Sequence, residues 1–159
     1  LYKLIAIAVA SLLATGTVHA KSLSNQLVGQ WQSQCKKASG RYLQVISRFT
    51  EAGEYRATSN FYTDSACSAP MGMEIVSTGR YRLGALFTTA AGESAQEIDL
   101  DVGELRSGGM TLPGAGERVH QIISIIDGRL VFGDAPGLPA VTGGQRPTKL
   151  NKNFYSNKQ

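Results

Sequence analysis

Along residues 42–50 the side chains alternate, with Leu43, Val45, Ser47 and Phe49 on one parity and Tyr42, Gln44, Ile46 and Arg48 on the other. A period of two places the first set on one face of a β-strand. Ala52-Gly53 follows as a tight turn. Residues 54–64 then set Tyr55, Ala57, Ser59 and Phe61 against the more polar Arg56, Thr58, Asn60 and Tyr62, so the two runs predict a hairpin. Residues 71–83 carry Met73, Ile75, Tyr81 and Leu83 on one parity with Arg80 and Arg82 on the other, and residues 95–102 alternate Ile98, Leu100 and Val102 with Glu97, Asp99 and Asp101. If these two strands are neighbours, the arginines face the acidic row, each pair worth roughly a few tenths of a kcal/mol. A solvated charged face is the plainer alternative.

Residues 117–126 and 129–134 flank Asp127-Gly128, the strongest short hairpin signal in the chain. Val119, Gln121, Ile123 and Ile125 alternate with His120, Ile122, Ser124 and Ile126, which predicts a strand covered on both faces towards its end. Residues 135–147, with three prolines and three glycines, read as a loop. Residues 149–158 supply a last strand, with Leu150 and Phe154 on one parity and Tyr155 on the other. With a first strand over 29–35 the count reaches about eight, joined by hairpins, with few convincing helices. The 18 glycines and the abundance of Thr, Ser, Val, Ile and Tyr agree with an all-β domain. The expected architecture is a small antiparallel up-and-down β-barrel, which leaves no open sheet edge; an open sandwich is the alternative.

Residues 1–20 have the layout of a secretory signal: Lys3, an apolar run from Leu4 to Ala14, and Val18-His19-Ala20 as a small-residue cleavage site. Leu1 stands where an initiating Met is usual, which leaves an alternative start codon and a fragment end both open. The apolar run falls short of the roughly 20 residues that span a bilayer, no Cys stands at the cleavage point, and no later stretch is long enough to cross. The expected product is residues 21–159, one domain without a transmembrane anchor, periplasmic or secreted. Without Lys3, 15 basic residues (16 − 1) face 12 acidic ones. That excess permits weak attraction to anionic envelope surfaces, but no basic stripe interleaved with aromatics is present, and nucleic-acid binding is not expected.

Cys35 and Cys67, the only cysteines, most simply form one disulfide in an exported chain. It ties the first strand to the end of the third, and in the loop-entropy model it contributes roughly 3.5 to 4 kcal/mol. A thiol metal or redox site would need C-x-x-C spacing or nearby histidines.

Gly29-Gln30-Trp31 resembles the G-x-W motif on the first strand of the lipocalin and calycin superfamily. The resemblance implies that Trp31 closes one end of the barrel beneath a basic residue from the last strand, for which Arg146, Lys149 and Lys152 all qualify. A buried Trp contributes roughly 4 to 6 kcal/mol before costs. Gly29, Trp31, Ser33, Cys35, Tyr62, Asp64, Cys67, Pro70, Gly79 and Tyr81 are together similar to the extracellular domains of the adenomatosis polyposis coli down-regulated protein family, over about residues 27–84. That similarity implies a lipocalin-like barrel, a disulfide between the matched cysteines and a hydrophobic cavity able to hold a lipid.

Other chemistry has little support in the sequence. His120 is the lone histidine beyond the leader, so neither a metal nor a cofactor is expected. No G-x-S-x-G is present, His120 and Asp127 make no triad signal, and Glu97, Asp99 and Asp101 read as a solvated face, so no catalytic residues are assigned. Residues 103–116 are glycine-rich but lack the P-loop lysine, and read as a flexible rim or a poorly paired strand. The inward set, Leu43, Val45, Phe49, Tyr55, Phe61, Met73, Ile75, Ile98, Leu100 and Ile123, suits either a ligand cavity or a packed core. The expected function is non-enzymatic binding of a lipid or other hydrophobic small molecule. The alternative is a filled barrel acting on an envelope protein through the loops at 103–116 and 135–147.

Overall fold

A computed structural model describes residues 22–134 and 145–159. The expected leader and residues 135–144 of the expected loop lie outside the described residues. A short helix, α1 (Leu23–Leu27), leads into β1 (Gly29–Ser33), β2 (Lys36–Ala38), β3 (Arg41–Phe49), β4 (Glu54–Tyr62), β5 (Pro70–Thr88), β6 (Ser94–Ser107), β7 (Met110–Thr111), β8 (Arg118–Ile126), β9 (Arg129–Gly133) and β10 (Leu150–Lys158). All pairings are antiparallel. The ring runs β1-β10-β9-β8-β6-β5-β4-β3 and closes because β1 also pairs with β3. The eight-stranded barrel expected from the alternation is therefore the fold, and the sandwich is not. β2 and β7 are short additions on β3 and β6.

The period-two patterns set which face looks inward. Val45 pairs with Ser59 and Ser59 with Ile75, while Phe49 pairs with Tyr55; side chains opposite one another in an antiparallel pair project to the same face. Both Asp127 and Gly128 adopt positive φ, 51° and 74°, as the two-residue turn between β8 and β9 demands. Ile122, on the outer face of β8, is fully buried with Ala95, Val131 and Leu150, so β8 is covered on both sides.

The glycine-rich stretch is more ordered than expected: β6 runs through Gly103 to Ser107 and turns back into β7. Its glycines at 108, 109 and 116 have positive φ and open space around them, so they serve turns, whereas crowding between strands demands glycine on the neighbouring β5. A Cβ on Gly79 of β5 would stand 1.9 Å from the Asp101 carbonyl oxygen, beside the register shift between β5 and β6. Close backbone approach at such an irregularity bends the long strands around the barrel.

The turns at Thr50–Glu54, Thr89–Glu93 and Asp127-Gly128, together with α1, gather at one end. The β2–β3 hairpin, the connection between Tyr62 and Pro70, and the β6–β7 turn gather at the other. We call these the closed end and the mouth.

Candidate functional site

Trp31 fills the closed end. It packs with Leu27, Phe49, Tyr55, Ile98, Ile123 and Leu130, and its indole Nε1 donates 2.7 Å to the Leu27 carbonyl, which also pins α1. Lys158 supplies the covering cation, its Nζ 5.2 Å from the Trp31 ring and donating 2.7 Å to the Gln26 carbonyl. None of the three basic residues proposed from sequence takes that place. Arg146 pairs with Glu97 and Asp99 on the outer wall, Lys152 pairs with Glu93, and Lys149 follows Arg146 on the chain running into β10. Lys158 lies at the far end of β10, where the pairing Trp31↔Lys158 closes the ring. Gly29 is needed beside it, since its φ of 128° lies in a region that side chains rarely adopt.

Above this plug the barrel is hollow. A cavity of about 830 Å³ opens towards the mouth and is bordered by Leu43, Val45, Phe49, Tyr55, Phe61, Met73, Ile75 and Leu100 from the expected inward set. The packed-core alternative thus holds only for the closed end. Ile98 and Ile123, expected in the same set, do not border the cavity. Both are fully buried against Trp31, one level below it. Parity reported their face correctly but not their height along the barrel.

The hollow has a cause in side-chain volume. Ser47 stands opposite Ala57, and Ala57 opposite Ser77, with Ser59 between Val45 and Ile75. Four small residues thus occupy inward positions on three adjacent strands. Val102, Val119, Gln121 and Phe132 complete the wall from the other side and were not anticipated as lining; the small residues Ser47, Ala57 and Ser59 on the inward parity were the available signal for a cavity. Gln121 is satisfied by the backbone, its Oε1 accepting from the amides of Ile122 and Gly133 at 2.9 and 3.1 Å. Tyr55 Oη meets Ser77 Oγ at 3.0 Å, and burial raises the Tyr55 phenol above its ordinary pKa, so it stays a neutral hydroxyl.

At the mouth, Cys35 and Cys67 form the expected disulfide. Asp64 organises the loop that presents Cys67: its carboxylate accepts from the Ser68 and Ala69 amides and the Ser68 hydroxyl, and these bonds lower its pKa. On the outer wall, Arg82 reaches Asp101 at 2.9 Å, which realises the expected pairing with the acidic row for that arginine, whereas Arg80 donates at 3.1 Å to the Ala52 carbonyl instead. His120 Nδ1 lies 2.7 Å from Asp99 Oδ1 and beside Arg146, on the face of β8 turned away from the cavity. Asp127 is in the turn at the far end of that strand. Among the described residues no three His, Cys, Asp or Glu side chains converge as metal ligands would, and no helix is long and apolar enough to cross a membrane.

Neither a protein-family model nor a curated protein matches the chain. The reading of the site therefore rests on its geometry.

Proposed function

We propose that this barrel is a non-enzymatic, periplasmic or secreted binder of a lipid or other hydrophobic small molecule, held in the cavity above Trp31. The observation that carries the reading is the 830 Å³ space bordered by Leu43, Val45, Phe61, Met73 and Ile75. It falls within the roughly 300–1,000 Å³ of small-molecule sites. The disulfide suits an oxidising compartment. The resemblance of residues 27–84 to the adenomatosis polyposis coli down-regulated family carries the same implication of a lipid-holding barrel.

The test is displacement of a fluorescent fatty-acid probe, with native mass spectrometry of the purified chain. Wild type binds one probe, and Ser47→Leu combined with Ser59→Leu narrows the cavity and weakens binding without unfolding the protein. A chain that binds no probe, or a narrowed variant that binds as well as wild type, overturns the reading.

A further inference from the structure

Among the described residues five cations pair with carboxylates: Arg82 and Arg118 with Asp101, Arg106 with Glu104, Arg146 with Glu97 and Asp99, and Lys152 with Glu93. Of the cations without a carboxylate partner, Lys36, Lys37 and Arg41 stand apart by their place, since all three border the mouth of the cavity.

Register explains their position. Lys36 lies opposite Leu43, and Ala38 opposite Arg41. Leu43 borders the cavity, so its partner Lys36 projects to the same face, and Arg41, two residues before Leu43, does too. Each touches another lining residue. Lys36 Nζ stands 5.3 Å from the centre of the Phe154 ring on β10, and Arg41 Nη1 lies 3.9 Å from Met73 Sδ on β5. Both are soft contacts that leave the positive charges unneutralised. Among the described residues, Asp134 is the one acidic residue in the lining, against three basic ones. A cationic rim on an apolar cleft concentrates anions, and the low-dielectric wall strengthens their attraction.

We infer that the guest is an amphiphile with an anionic head group, its chain in the cavity and its carboxylate, phosphate or sulfate held by Lys36 and Arg41 at the mouth. This rests on the hydrophobic-guest reading and narrows it.

The test compares hexadecanoic acid, hexadecyl phosphate and uncharged hexadecan-1-ol, each below its aggregation threshold, on the full chain. At low salt the two anions bind about tenfold or more tighter than the alcohol, as charge-assisted hydrogen bonds at one head group provide. The acid and phosphate arms distinguish which anion the rim prefers. Added salt narrows the gap to the alcohol, and Lys36→Met with Arg41→Met closes it by weakening the two anions far more than the alcohol. Equal affinity for alcohol and anions in wild type overturns the inference and leaves the hydrophobic-guest reading standing, as does a gap that survives the double substitution. Failure of all three compounds to bind overturns both. The wild-type comparison and its salt dependence need no variant, so the outcome does not depend on how the substituted chain folds.

Discussion

The two ends of the barrel use the same strands for opposite purposes. At the closed end Trp31, Phe49 and Tyr55 fill the interior, and Ile98 and Ile123 are fully buried against them. One step towards the mouth on β3 and β4, Phe49 gives way to Ser47 and Tyr55 to Ala57, and the interior opens. The closed end is held by the larger packed cluster around Trp31; the mouth half has the smaller cluster of Val102, Leu105 and Val119 and is tied by the Cys35–Cys67 bridge. The hollow half thus adds a covalent tie to its thinner packing.

The largest effect expected from breaking this contrast is that of Trp31→Ala, which leaves a void under Lys158 and costs about 3–5 kcal/mol in chemical denaturation. Unchanged stability would remove Trp31 from its place as the plug. Next comes the bridge: Cys35→Ser, Cys67→Ser and the double variant each lose roughly 3.5 to 4 kcal/mol, and additive losses would show that the thiols act separately. The contrast sharpens when side chains are enlarged. Ile98→Phe overpacks the closed end and costs about 1–3 kcal/mol, whereas Ser47→Leu enters open space and costs less than about 1 kcal/mol by the same logic; equal losses would mean that both levels are packed alike. Lys158→Met removes the cation over the indole and its bond to Gln26, a loss of about 1 kcal/mol in thermal unfolding.

The smallest expected effect is on pH dependence. Burial pushes the Asp99 carboxyl up, but hydrogen bonds to His120 and Arg146 and the Arg146 charge outweigh it and hold the group below its ordinary 3.8. A lowered folded pKa stabilises above the ordinary value, and that contribution disappears as pH falls through the lowered one. Acid unfolding should therefore steepen below about pH 4 in wild type, and Asp99→Asn should flatten that limb. An unaltered acid limb in the variant would separate Asp99 from the stability of the outer wall.

The sequence carried the faces of the strands better than their heights. Alternation over residues 42–50 and the Asp127-Gly128 turn placed β3, β4, β8 and β9 close to where they lie. Parity alone could not say that Ile98 belongs with Trp31 while Leu100, on the same face, borders the cavity, because height depends on the stagger between strands. The same stagger hid Lys158, which reaches Trp31 only through the β1–β10 register. Gly84 and Gly103 stood just beyond the strand ends expected at Leu83 and Val102, whereas β5 and β6 pass straight through them. The hollow itself was written in Ser47, Ala57 and Ser59, small residues at inward positions of otherwise bulky strands.

The seam that closes the ring has a consequence for how the chain reaches its native state. Trp31 and Lys158 are paired although they lie 127 positions apart (158 − 31). Hairpins such as β8–β9 form from near neighbours, but this ladder waits for almost the whole polypeptide, and nonlocal pairings of that kind are slow to form. Until β10 docks, β1 and β9 each present an unpaired edge, the surface on which β chains stick to one another. Self-association during refolding should fall to its native level as the indole becomes shielded, for one ladder both buries Trp31 and removes the last open edge.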